Sequence, residues 1–121
     1  MLNKPKYSLF LNTKYALQGL KDLIQNESSF KIELIIFVLI LPIIIFIDKN
    51  FLEKLLLFSS GMLILIVESI NGAIERVVDL VTTEYHPLAG KAKDAGSSAV
   101  LLSVILGIVI WIVILFKGIL W

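Results

Sequence analysis

The sequence predicts an all-α integral membrane protein with three transmembrane helices and an N-terminal amphipathic helix on the membrane surface. Three observations predict it. Of the 121 residues, 58% are hydrophobic and the mean hydropathy is +0.93, too apolar for a soluble domain of this size. Three apolar runs, separated by short polar segments, approach the length needed to cross a bilayer. Ahead of them, a lysine-bearing segment places its apolar residues at helical spacing. Residues 1–121 form a single domain, with a surface helix at about 8–25 and spans at about 30–47, 51–74 and 95–116.

In the surface helix, Leu9, Phe10, Ala16, Leu17, Leu20, Leu23 and Ile24 share a face that Thr13 completes. Asn12, Lys14, Gln18, Lys21, Asp22 and Gln25 occupy the other, the pattern of a helix lying in the interface plane. Asn26-Glu27-Ser28-Ser29 breaks this pattern and turns the chain into the bilayer. The apolar run Leu34 to Ile47 is short for a span, and counting from Phe30 lengthens it, with Lys31 and Glu33 at headgroup level. Pro42 inside it predicts a kink, since neighbouring helices can satisfy the freed carbonyl. After Asp48-Lys49-Asn50 the second span begins at Phe51, and its helix is expected to continue past Asp79 into water. Small residues at Ser59-Ser60-Gly61 and Gly72-Ala73 allow close helix approach. A polar loop is expected from Thr82 to Asp94. The third span then opens with Ala95-Gly96-Ser97-Ser98-Ala99 and carries no charge up to Phe116. Trp111 and Trp121 fit the far interfacial belt.

The first apolar run begins only near Leu34, so no cleaved signal peptide is read at the N-terminus. A net charge of +1 gives no footprint for nucleic acid. The absence of cysteine excludes disulfides, thiolate metal sites and a cysteine nucleophile.

The stretch ESINGAIERVVD, Glu68 to Asp79, stands out. On a helix Glu68, Glu75 and Asp79 fall within roughly 40° of one another, with Asn71 about 60° to one side. A charge at the bilayer centre costs about 2.5–3.5 kcal/mol on insertion scales. Either Glu68 pairs with a cation to fix helix register, or the face is a metal and proton-transfer site at the membrane edge, the reading taken here. Glu27, Glu75, Asp79, Lys91, Lys93 and Asp94 are expected at the cytoplasmic boundary, with Glu68 about 10 Å deeper. Oxygen ligands for magnesium, lysines for phosphates and a carboxylate to accept a hydroxyl proton make up a phosphoryl-transfer site. Soluble kinase and P-loop motifs are absent, and Gly90-Lys91 lacks the strand that a P-loop requires. The depth of Glu68 points to a lipid hydroxyl as acceptor. Other readings of single residues stand beside these. Lys91 and Lys93 also fit ordinary positive-inside residues, Glu33 an interfacial position, and His86 a surface position, imidazole being a poor magnesium ligand.

The text Glu68-Ser-Ile-Asn71-Gly-Ala-Ile-Glu75, with Asp79, then Glu84-Tyr85-His86, Leu88, Gly90, Ala92-Lys93-Asp94, Gly96-Ser97 and Ala99-Val100, resembles the bacterial integral-membrane diacylglycerol kinase family. Tyr15, Gly19-Leu20 and Asn26-Glu27 extend the resemblance, which covers roughly Tyr7 to Leu115. It implies a homotrimer of three-span subunits with composite sites, transferring the γ-phosphate of MgATP to diacylglycerol to give phosphatidic acid at the bacterial inner membrane. By position, Glu68 matches the catalytic base, and Glu27 and Glu75 match the pair holding the metal ions on the phosphates. Asn71 matches the polar partner of the base. Tyr15, Glu84, Tyr85, His86, Lys93 and Asp94 match nucleotide contacts, while Ser97, Glu33 and Lys21 fall where the family lines the lipid headgroup and the surface-helix rim. Two departures stand. Gly72 replaces a frequent serine or threonine, which loses a hydroxyl contact, and Ser8 stands where a basic residue is expected, leaving Lys6 or Lys14 to replace it. The alternatives are an undecaprenol kinase, which resembles the same family, a small oligomeric proton or cation channel with Glu68 in its pore, and a non-catalytic helper subunit.

Orientation follows from lysine and arginine counts. Eight lie before the first span or after the second, against three on the opposite side (Lys49, Lys54, Lys117), which puts the N-terminus and the second loop in the cytoplasm. A reporter fused to the N-terminus is therefore expected to be cytoplasmic and one fused to the C-terminus periplasmic. The reverse pattern in a fusion assay would overturn this topology.

Overall fold

Ser8 opens the first helix, α1 (Leu9–Asn26), by accepting a hydrogen bond from the Leu11 amide at 3.4 Å. That satisfies one of the donors a helix start leaves open. The computed structural model describes residues 6–119, so Trp121 lies outside the described residues. Four α-helices make up the regular structure among them. α1 is followed by α2 (Ser28–Phe46), α3 (Phe51–Val81) and α4 (Pro87–Phe116). The last three are long and apolar enough to cross a membrane.

The predicted open face of α1 is present: Leu9, Phe10, Leu17, Leu20 and Ile24 are exposed, and only Leu23 is buried. A face of that composition is what an interfacial helix presents to lipid. The break between α1 and α2 is narrower than the four polar residues suggested. Glu27 alone leaves helical geometry, at φ −116° and ψ 105°. α2 continues through Pro42. α3 starts at a capping box, in which Asn50 Oδ1 accepts from the Glu53 amide at 2.9 Å and Glu53 Oε2 accepts from the Asn50 amide at 3.1 Å.

The loop expected over Thr82 to Asp94 is a correction. Helix α4 begins at Pro87, so only five residues separate it from α3. His86 caps it, Nδ1 accepting from the Leu88 amide at 3.1 Å, and proline at the first helical position needs no hydrogen-bond partner for its nitrogen. Polar composition concealed a helix that extends beyond the bilayer.

Contacts run in chain order, α1 on α2, α2 on α3, and α3 along α4. One core cluster joins Leu23, Phe30, Phe37 and Leu65, and a second joins Ile44, Leu57 and Ile114. Trp111, expected as a belt residue, packs half-buried against the second. Most other large apolar side chains of the spans face outward, as they must where lipid or neighbouring helices supply the solvent. α2 and α3 meet most closely at Gly61, where a Cβ would lie 2.6 and 2.7 Å from two ring carbons of Phe37. Gly61→Ala is expected to cost about 1–3 kcal/mol by overpacking, read as a lower thermal midpoint in detergent. A second change, Phe37→Leu, is expected to restore part of it.

Candidate active site

α3 carries the site because it is longer than the membrane is thick. Its 31 residues span about 46 Å at 1.5 Å per residue. Along the axis from Phe51, Glu68 stands at about 26 Å and Glu75 at about 36 Å, so a hydrocarbon layer of about 30 Å ends between them. Glu68 and Asn71 are buried, 9% and 7% exposed, within a helix that is otherwise largely apolar up to Ile74.

Small residues bring three elements together here. Gly72 lies beneath α1 and the helix break: a Cβ on it would sit 3.2 Å from Leu23 Cδ2 and 4.0 Å from the Glu27 Cγ and Cδ. At Gly72 a Cβ would press on Leu23 and meet Glu27 only at ordinary van der Waals distance. Gly96 lies at the α4 contact, where a Cβ would collide with Asn71 Oδ1. Asn71 Nδ2 donates to Glu75 Oε1 at 3.4 Å, and its Oδ1 is buried without a partner among the described residues. The Glu68 carboxylate lies within electrostatic reach of Glu75, Glu27 and Glu33. Glu33 is half-buried and has one carboxylate oxygen likewise unpartnered. It borders a cavity of about 410 Å³ between α2, α3 and α4 that is otherwise lined mostly by apolar side chains.

The structure separates Asp79 from this face. Its side chain pairs with Lys93 at 2.7 Å at a second cavity of about 260 Å³, lined by Asp79, Thr82, Thr83, Glu84, Tyr85, His86, Gly90 and Lys93 among others. The Thr82 hydroxyl accepts from the Glu84 amide at 3.2 Å and shapes this turn. Tyr15, Lys21, Asp94 and Ser97 are exposed, and none of them lines that cavity.

Among the described residues, no three acidic, histidine or cysteine side chains come together closely enough to hold a metal ion. Glu27 and Glu75 nevertheless fit magnesium. The ion usually takes one or two protein carboxylates and completes its shell with phosphate oxygens and water.

This arrangement has counterparts. The prokaryotic diacylglycerol kinase family model matches residues 14–115. The chain belongs to that family. Among curated relatives, a diacylglycerol kinase of Haemophilus influenzae is 39% identical over 108 residues, covering 89% of this chain and 92% of the relative. That of Escherichia coli K12 is 41% identical over 103 residues, covering 85% and 84%. That of Helicobacter pylori J99 is 40% identical over 103 residues, covering 85% and 80%. The undecaprenol and channel alternatives find no support in these names.

Two charged residues escaped the sequence reading. Arg76 was only a positive-inside count and Asp22 only a polar-face residue, yet Arg76 Nη1 pairs with Asp22 and Nη2 with Glu27 at 3.2 Å. Position next to Glu75 was the one available signal for Arg76. From the Gly96 contact, Gly96→Ala is expected to displace the Asn71 carboxamide and lower kinase turnover about tenfold or more, because small misplacements at a reacting centre carry large rate losses. Its circular dichroism should stay helical. Unchanged turnover would show that α4 can move away without disturbing Asn71.

Proposed function

We propose that the protein is an ATP-dependent lipid kinase of the bacterial inner membrane that phosphorylates diacylglycerol to phosphatidic acid. It works as a homotrimer, with α1 and the α3–α4 turn on the cytoplasmic face and the C-terminus in the periplasm. The depth of Glu68 carries this reading. A buried carboxylate just inside the hydrocarbon boundary, a short distance below carboxylates at the aqueous edge, suits an acceptor hydroxyl that arrives within the bilayer and a donor that arrives from water.

The lipid hydroxyl hydrogen-bonds to the Glu68 carboxylate, which takes its proton as the hydroxyl oxygen bonds to the γ-phosphorus. The bond from that phosphorus to the β–γ bridging oxygen breaks, and ADP leaves. Glu27 and Glu75 would hold magnesium on the nucleotide phosphates, where it neutralises charge on their oxygens. Asn71 fixes Glu75 through its side-chain hydrogen bond. Lys93, resting on Asp79, is placed to meet phosphates at the rim of the loop cavity, and the exposed Tyr85 ring offers a face for the base. Since His86 Nδ1 is engaged by the Leu88 amide, a nucleotide contact from His86 must use Nε2. Glu84 takes part from the same turn. Tyr15 and Asp94 as nucleotide contacts, and Lys21, Glu33 and Ser97 at the lipid headgroup, complete the site, with composite sites bringing residues of neighbouring subunits together.

The test uses the purified protein in mixed micelles, with diacylglycerol and undecaprenol as separate acceptors. Phosphorylation of diacylglycerol is expected, and transfer to undecaprenol alone would overturn the substrate assignment. Glu68→Gln should lose roughly 10²–10⁴-fold in turnover, the usual range for general-base catalysis, while binding the magnesium complex of a non-hydrolysable ATP analogue about as well as the parent. Glu27→Gln and Glu75→Gln should each weaken that binding and raise the magnesium concentration for half-maximal activity. Equal loss of analogue binding in all three variants would remove the division of roles.

A further inference from the structure

We infer that Arg76 is a positioning residue that holds the Glu27 carboxylate, so that a divalent cation takes its site by displacing a guanidinium. The inference rests on the reading of Glu27 as a metal ligand and goes beyond it.

Glu27 is the residue at which α1 gives way to α2, with extended backbone between two helices. Its carboxylate reaches the site by lying over Gly72, which has no side chain to steer it. Lateral hold comes from Arg76, whose Nη2 donates to Glu27 Oε1 at 3.2 Å. The other arm of the fork, Nη1, donates to Asp22 one turn back on α1. Asp22 alone would suffice to tie α1 to α3. The second arm instead occupies an oxygen that the metal needs. A planar guanidinium suits such a two-carboxylate bridge, which a single ammonium cannot reproduce.

Both cations, guanidinium and metal, draw on the same carboxylate, so their binding is competitive. The pair is partly open to water, with side chains 44% and 28% exposed, and ion pairs of that kind are weak. Arg76 therefore sets the metal affinity without blocking it, by about two- to fivefold. Asp22 keeps the displaced guanidinium beside the site. It also gives the two residues opposite signs: without Arg76 the metal gains, whereas without Asp22 both arms turn to Glu27 and the metal loses. A merely structural Arg76–Asp22 tie would make the two variants behave alike.

The experiment is titration of Mn²⁺ into the purified full-length protein without nucleotide, with free Mn²⁺ read by electron paramagnetic resonance. Arg76→Gln is expected to bind about two- to fivefold more tightly than the parent and Asp22→Asn more weakly, with Arg76→Lys between parent and Arg76→Gln. In the Glu27→Gln background, Arg76→Gln should change nothing further. Equal or weaker Mn²⁺ binding by Arg76→Gln overturns the inference. An undiminished effect in the Glu27→Gln background also overturns it, because the arginine would then act through its general field. If Glu27→Gln by itself leaves Mn²⁺ binding intact, the assignment of Glu27 as a ligand fails first, and the displacement fails with it. Should Arg76→Gln not fold, Arg76→Lys against Asp22→Asn decides by the opposite signs of their shifts.

Discussion

A carboxylate inside a membrane span is the constraint from which the remaining structure follows. Glu68 is buried and makes no ion pair among the described residues, so no cation brings it into the interior. It is tolerated where it stands because α3 crosses the hydrocarbon boundary between Glu68 and Glu75. Polar groups cluster at that level: Asn71, Glu75, the Glu27 carboxylate from the helix break and Glu33 from α2. Gly96 is a requirement of this clustering, because a side chain there would push Asn71 out of place, whereas one at Gly72 would press on Leu23.

The same boundary explains how one helix can serve a lipid and a water-soluble donor. Glu68 and Glu75 are about 10 Å apart along the axis. Side chains of a helix lean toward its N-terminus. α3 starts on the side opposite the site, so Glu68 and Glu75 both lean inward, and the lean alone leaves their axial spacing unchanged. Asn71 lies between the two and draws the Glu75 carboxylate in the same direction through their hydrogen bond. The hydrogen bond from Asn71, not the lean, is what draws the two carboxylates toward one level.

Legibility in the sequence tracked the range of the interactions. Hydrophobic periodicity placed α1 and the three spans, and helical spacing put Glu68, Asn71 and Glu75 on one face, because these features depend only on near neighbours. Asp79 had the right spacing but the wrong partner, since Lys93 draws it into the α3–α4 turn. The start of α4 was hidden because a proline and a histidine cap were read as loop chemistry, whereas both favour the start of a helix. Arg76 was invisible as a partner of Glu27 and Asp22, which lie 49 and 54 positions away. Their meeting depends on how α1 folds back, and no local pattern encodes that.

The charges of the resting site then have a common logic. Glu27, Glu33 and Glu75 each lie within electrostatic reach of Glu68, and repulsion of this kind is least screened where the site is driest. Arg76 and Lys93 each engage a carboxylate in or beside this cluster through a partly exposed pair. Such pairs are weak enough to exchange, since solvent supports the separated charges nearly as well. Deeply buried pairs would be costly to break, because the abandoned partner would remain unsolvated. Holding the cations at the wet rim leaves Glu68 at the dry end, and the negative cluster is held together without being locked.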